Sequence, residues 1–360
     1  MPQLPVVNTH DEWSPLEEII VGGPYHLDYH NDTSFRLFFH DNLRDPVNQE
    51  VFQRPHFTPN NRLRDECLED LAEFTGILEA RGIIVRRPEM LHTVPETKTP
   101  AWSAPMGHAM MPRDLFLVLG DEIIETPTMI RARYFEGDLY KELFTEYFNR
   151  GARWTVAPKS RLLDRNFDFS YVVKRGYDGR LPDDIFLEMM FDAAQVLRLG
   201  KDLIFNASTG NHRMGVSWLR RHVGSDYVVH EVEITDNHLG GKILALRPGT
   251  LLVRDDVDTD LLPAPLRRWQ MITYEECEQP VELEQDGVPF LASQSVGINV
   301  LSLDEDHVVV QDIQRPLIRD LEKAGFTPIP CRWRHGRSLG GGFHCLTLDV
   351  RRRSELVSYF

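Results

Sequence analysis

An α/β fold assembled from repeats of one small unit is predicted by two observations along the 360-residue chain. Amphipathic helical stretches end at a glycine or a short polar turn and run into a β-rich segment, and this succession recurs about five times. Between them lie pairs of apolar runs joined by turns of hairpin chemistry. Repetition of such a unit suggests a radial or stacked arrangement around an axis.

The first predicted helix is Asn61 to Arg81, with Leu63, Cys67, Leu68, Leu71, Phe74 and Leu78 on one side. Gly82 stops it before Ile83-Ile84-Val85. The second is Asp138 to Arg150, stopped by Gly151 before Trp154-Thr155-Val156. The third, Asn211 to Val223, ends at Gly224 before a strand over Tyr227 to Val232. A short fourth, Ala264 to Gln270, leads into Met271-Ile272-Thr273, and a fifth, Pro316 to Ala324, ends at Gly325 before Phe326 to Pro330. The hairpin-like pairs are Phe116–Leu119 with Ile123–Ile124, Ile243–Leu246 with Leu251–Val253, and Ile298–Leu303 with Val308–Val310. No linker divides the chain, so one domain over residues 1–360 is expected. The polar, turn-rich stretch from Leu162 to Glu188 suits an excursion or lid over a site, and equally a surface insertion without a role.

Hydrophobic residues make up 42% and charged residues 26% of the chain, with 24 Gly and 23 Pro, which excludes fibrous and low-complexity classes. The net charge of −15 has the wrong sign for a general nucleic-acid binder. Cys67, Cys277, Cys331 and Cys345 form no metal-type cluster and read as reduced thiols of a cytoplasmic protein. Met1 to Glu18 carries four acids and lacks the basic start and apolar run of a signal peptide, and no apolar stretch is long enough to span a membrane.

The sharpest local signal is Ser338-Leu339-Gly340-Gly341-Gly342-Phe343-His344-Cys345. Three glycines let the backbone approach a ligand closely, and the cysteine after them suits a nucleophile. A phosphate loop needs Lys and then Ser or Thr after its last glycine, and this stretch has Phe and His. A glycine-rich turn followed by a buried cysteine also fits. A thiolate nucleophile needs a base. His344 is disfavoured because neighbours on a strand face opposite ways. His238, in Thr235-Asp236-Asn237-His238-Leu239-Gly240-Gly241, stands where the third unit's strand gives way to a turn. Asp192 and Asp114 lie in apolar surroundings, where a carboxylate needs a partner. Each suits orienting a histidine or gripping a cation. The bland readings are a helix cap for Asp192 and a salt bridge from Asp114 to Arg113 or Arg131.

Taken in order, Met111-Pro112-Arg113-Asp114, Glu125-Thr126-Pro127, Arg131-Ala132-Arg133-Tyr134-Phe135-Glu136, Phe191-Asp192-Ala193-Ala194 and Leu339 to Cys345 with Asp349-Val350-Arg351-Arg352 resemble the amidinotransferase family. The resemblance runs from Glu12-Trp13-Ser14-Pro15 to the end of the chain. It implies a five-bladed α/β propeller of pseudo-fivefold ββαβ repeats, the guanidino-group modifying fold, with a Cys-His-Asp constellation in a central channel and no metal or organic cofactor. Carried over by position, Cys345 is the nucleophile, His238 the general acid/base, Asp192 the carboxylate that orients it, and Asp114 a guanidinium ligand. Arg113, Asp236, Gly240, Arg254 and Ser293 complete the candidate substrate contacts. The implied partners are a guanidino donor such as arginine and an amine acceptor. Many members of the family dimerise, so a homodimer is one expectation.

The chain departs from that pattern where substrate would be held. The family usually has His-x-Asp after its histidine, whereas this chain has His238-Leu239-Gly240. Val257 stands where the family places an arginine for the donor carboxylate, with Arg254 as a substitute nearby, and of two adjacent serines the chain keeps only Ser293, after Ala292. Asp236 supplies the missing carboxylate if the preceding strand extends far enough to put it on the face of His238. The leading expectation is an amidinotransferase of antibiotic or toxin biosynthesis. A guanidino-compound hydrolase using the same trio is the alternative, and a non-catalytic scaffold the third.

Overall fold

The computed structural model describes residues 5–23, 29–30, 34, 56–57, 61–90, 95–107, 109–170, 186–236, 238–275, 292 and 294–360. Five three-stranded sheets stand among them, each with one antiparallel and one parallel pair. Four follow the chain directly. β3 (Phe116–Leu119) and β4 (Glu122–Glu125) form a hairpin, and β5 (Arg153–Val156) lies parallel to β4 after helix α2 (Lys141–Asn149). The hairpin of β6 (Val196–Leu199) and β7 (Asp202–Asn206) is joined by α3 (Gly210–Val223) to parallel β8 (Val228–Val232). The next sheet holds β9 (Ile243–Arg247), β10 (Thr250–Arg254) and β11 (Gln270–Tyr274). The last of the four holds β12 (Leu301–Ser302), β13 (His307–Gln311) and, after α4 (Arg315–Lys323), β14 (Thr327–Cys331).

The fifth sheet joins distant parts of the chain. β1 (Leu16–Val21) pairs in parallel with β2 (Ile84–Arg86), beyond α1 (Asn61–Glu79), but its antiparallel partner is β15 (Thr347–Arg352). β15 thus takes the place that the first hairpin strand holds in the other sheets.

The first hairpin strands have no exposed residue, and β3 and β9 read as nearly continuous apolar runs, whereas the parallel third strands β5 and β8 carry exposed residues. Gly82, at φ +76°, lets α1 turn back at once into β2. Helix and strand expectations hold to within a few residues except in the sheet of β9 to β11. The expected helix from Ala264 to Gln270 is only a 3-10 turn over Leu266–Arg268, bonded i to i+3. The segment is short and Pro263 and Pro265 offer no N–H, so an α-helix has nothing to propagate on. Ile298, expected to open a strand, lies in the 3-10 turn Gln294–Ile298 instead. Among the described residues no helix is long and apolar enough to cross a membrane.

Candidate active site

Five segments carry polar side chains to the same end of the five sheets, each just before the first strand of its sheet. Asp114 lies in the short helix Pro112–Leu115 that continues into β3. Asp192 caps the 3-10 turn Ala193–Gln195 that leads into β6, and His238 precedes the turn Leu239–Gly241 that leads into β9. Asn299 precedes β12, and Cys345 precedes β15. Strands of different sheets thereby present side chains that are remote in sequence.

His238 is held from both sides. Its Nε2 is 2.9 Å from Asp192 Oδ2 and its Nδ1 3.3 Å from Asp114 Oδ1. Asp114 Oδ2 takes a 2.6 Å bond from Arg133 Nη1, and Arg133 also binds both oxygens of Glu136 at 2.8 and 3.0 Å. A continuous row runs Glu136, Arg133, Asp114, His238, Asp192. Burial opposes charge on the imidazole, but the charge of Asp114 and the bond to Asp192 outweigh it and raise the His238 pKa. Burial likewise opposes the Asp192 carboxylate, and the hydrogen bond and charge of His238 bring its pKa below the ordinary value. Burial pushes Glu136 up to about 7 despite its bonds to Arg133. Asp192 is at once the expected cap, with Gln195 reaching back to its N–H, and the partner of His238. The salt bridge expected from Asp114 to Arg113 or Arg131 goes instead to Arg133, while Arg131 binds Leu162 O and Asp164.

Cys345 is buried and its thiol is pushed up to about 12, first by burial and then by the Asp114 carboxylate, with Arg113 and Asn299 acting the other way. Cys345 is therefore a thiol at neutral pH. Its loop is compressed: a Cβ on Gly341 would lie 2.6 Å from Cys345 Cβ, and one on Gly342 2.9 Å from Asn299 Cβ, so only glycine fits at either place. Asn299 Oδ1 accepts from the N–H of Cys345 at 2.8 Å and of Gly342 at 3.1 Å.

Behind this loop lies a buried ionic cluster. Arg198 binds Glu12 and Asp349 at 2.8 Å, and Arg352 binds Asp349 at 2.6 Å. Arg113, an expected substrate contact, has its guanidinium in this cluster. It donates Nε to His344 O at 2.7 Å and pairs with Glu12 at 3.2 Å and Asp349 at 2.5 Å, so it braces the Cys345 loop from behind. His344 Nε2 lies 3.2 Å from Glu12, and burial depresses its pKa to about 4.

The remaining expected contacts are dispersed. Gly240 is buried, and a Cβ there would meet His344 Nδ1 at 3.2 Å. The strand before Asp236 stops at Val232, so the condition for Asp236 to share the face of His238 is not met; Thr235 Oγ1 bonds it at 3.4 Å. Arg254 ends β10 with its guanidinium on Asp256, and Lys242 Nζ reaches the same carboxylate at 2.6 Å. Val257 packs against an apolar cluster with Trp13 and Leu262. Ser293 lies outside the described residues, as do Cys277 and residues 171–185 of the Leu162 to Glu188 excursion. Arg133, Glu136, Glu12 and Asn299 were not singled out by sequence reasoning. For Asn299 the signal was present: a polar residue just before an apolar strand, the position that Asp192 and His238 hold in their own units.

No family model matches the chain. Over 366 residues it is 37% identical to L-arginine:L-lysine amidinotransferase of Pseudomonas savastanoi pv. phaseolicola, covering 98% of this chain and 96% of that protein. The chain belongs to the amidinotransferase family. Among solved structures, this amidinotransferase resembles inosamine-phosphate amidinotransferase StrB1 of Streptomyces griseus, with TM-score 0.86, 36% identity and coverage of 98% and 99% of the two chains. It also resembles SxtG, an amidinotransferase of the saxitoxin biosynthetic pathway of Microseira wollei, with TM-score 0.82, 35% identity and the same coverage.

Proposed function

We propose that this amidinotransferase moves an amidino group from L-arginine, or a closely related guanidino donor, to an amine acceptor in the biosynthesis of a specialised metabolite such as an antibiotic or toxin. The observation that carries the reading is the Asp114–His238–Asp192 row, set at the same end of the sheets as the Cys345 thiol, in a chain of this family. The five sheets are the blades of a propeller, residues 1–360 form its single domain, and the site lies at the blade ends around its axis. The chemistry needs no metal or organic cofactor. The protein works in the cytoplasm, as a homodimer.

The guanidinium enters as a cation against Asp114. It brings positive charge beside His238 and takes over part of the Asp114 charge, which lowers the imidazole's pKa, sends any proton on the ring to solvent and favours the neutral form that acts as base. His238 then accepts the thiol proton, Cys345 Sγ bonds to the central guanidino carbon, and the C–N bond to the donor's chain breaks as His238 protonates the departing amine. The product is an amidino-thioester on Cys345 and a free amine. An acceptor amine, deprotonated by the same histidine, attacks the carbon, displaces Sγ and restores the thiol. Asp192 keeps the ring oriented throughout. With Gly240 in place of a second carboxylate, Asp114 is the principal guanidinium anchor, and Arg254 and Asp236 are the candidate contacts for the rest of the donor.

The test is the mass of the intact protein after mixing with L-arginine alone, followed by peptide mapping. An amidino adduct on Cys345 with ornithine released is the expected result. Absence of both with arginine and with other guanidino compounds overturns the reading. Ammonia or a ureido product formed without an acceptor would assign the hydrolase alternative.

A further inference from the structure

Four of the five segments at the blade ends supply a group to the proposed chemistry: Asp114, Asp192, His238 and Cys345. The fifth supplies Asn299, at the corresponding place before β12. Its carboxamide is engaged on both sides. Oδ1 accepts from Cys345 N and Gly342 N, at 2.8 and 3.1 Å, and Nδ2 donates to Gly240 O at 3.1 Å. The main chain joins in, with His344 N donating to Asn299 O at 3.2 Å. Two donors face the oxygen and one acceptor faces the nitrogen, so a single orientation of the amide satisfies every partner. Gly342 leaves the room that this side chain occupies: a Cβ there would be 2.9 Å from Asn299 Cβ.

We infer that Asn299 is a positioning residue for amidino transfer, one buried amide that locks the Cys345 loop to the His238-Leu239-Gly240 turn and fixes the nucleophile against its proton carrier. It acts chiefly through the two segments it joins, and its amide also favours the thiolate of Cys345. The role follows from the spacing that the reaction demands. Thiol and imidazole come from different sheets, and a shift of about 1 Å between them costs on the order of a hundredfold in rate. The inference rests on Cys345 being the nucleophile.

Asn299→Asp and Asn299→Ser separate a positioning role from a structural one. Aspartate keeps an acceptor for Cys345 N and Gly342 N but sets an oxygen against Gly240 O and a negative charge beside the thiol. Serine is too short to bridge the loops and adds no charge. Wild type and both variants are compared by thermal unfolding, by the pH profile of Cys345 alkylation with iodoacetamide mapped at the peptide level, and by kcat and KM for the donor. The expected results for both variants are a kcat lower by about 100-fold and a KM within about threefold of wild type. The alkylation midpoint moves to higher pH in both variants, which lose the amide that favours the thiolate, and further in Asn299→Asp, which adds a negative charge. A folded variant whose kcat stays within threefold, or whose kcat loss is recovered in full when assayed well below its unfolding temperature, overturns the inference. Failure of both variants to fold also overturns it, since the residue would then serve the fold. If wild-type Cys345 forms no adduct with any guanidino donor, the proposed function fails instead, whatever the variants do.

Discussion

At Cys345 the same burial that excludes water from the reaction also favours the protonated thiol, while the Asp114 charge and the bond to Asp192 raise the His238 pKa and favour its charged form. Charge must therefore be redistributed when a cationic donor arrives. Binding of arginine to the Cys345→Ala variant at pH 7 is expected to release a proton, seen by calorimetry as an enthalpy that changes with the ionisation enthalpy of the buffer. An enthalpy independent of buffer would contradict the displacement step. Asp192→Asn removes the group that orients and charges the ring, so kcat should fall by about 10²–10⁴-fold while the protein stays folded. At this scale Cys345 carried its own signal, a cysteine after three glycines, whereas His238, Asp192 and Asp114 stood among other candidates and took their proposed roles from the family resemblance. Arg133 carried no signal. Three nearby arginines are equivalent as letters, and only the fold decides that Arg113 turns to Glu12 and Asp349, Arg131 to Asp164, and Arg133 to Asp114.

At the level of elements, the loop before β15 is where packing and chemistry meet. A methyl group on Gly342 has no space beside Asn299, so Gly342→Ala is expected to cost about 1–3 kcal/mol in urea unfolding and to lower kcat more than it raises KM. Glu12→Gln leaves Arg198 and Arg113 with an excess of buried positive charge and should destabilise by about 3–5 kcal/mol, measured the same way. Glycine stops and apolar runs announced α1 to α4 and most strands. The hairpin of β6 and β7 passed unnoticed because Arg198 and Asp202 interrupt its apolar run, and both are buried through partners elsewhere in the chain. The pairing of β1 with β15 carried no local signal, since register between strands 330 residues apart is set by the completed core.

For the molecule as a whole, acid stability is set by histidines buried in opposite charge states. His212 and His344 are depressed to about 4, chiefly by burial, so between about pH 6.5 and 4 the unfolded chain binds protons that the folded protein does not. Their contribution is complete above that window and falls through it, by up to about 3 kcal/mol for each histidine. His238 has the opposite sign: its raised pKa adds stability below about pH 6.5 that is lost as pH rises through the folded value. Glu136, raised to about 7, has the sign of His238 and adds stability as pH falls from about 7 to 4.5. The test is therefore made on the variant, and the melting temperature of His344→Asn relative to wild type should rise as pH falls from 7.5 to 4. A profile unchanged by that variant would rule His344 out as a source.

The sheet shared by β1 and β15 has a consequence for how the protein is made. At about 5–20 residues per second, a ribosome needs roughly 15–65 s to travel from β1 to β15. Throughout that time Ile19, Ile20 and Val21 leave one strand edge without the partner they have in the finished sheet. A nascent chain is thus open to edge-to-edge association and is a natural client for a holding chaperone. The arrangement also orders events. Cys345 emerges just ahead of the strand that closes the sheet, so a chain stalled before it lacks both β15 and the proposed nucleophile.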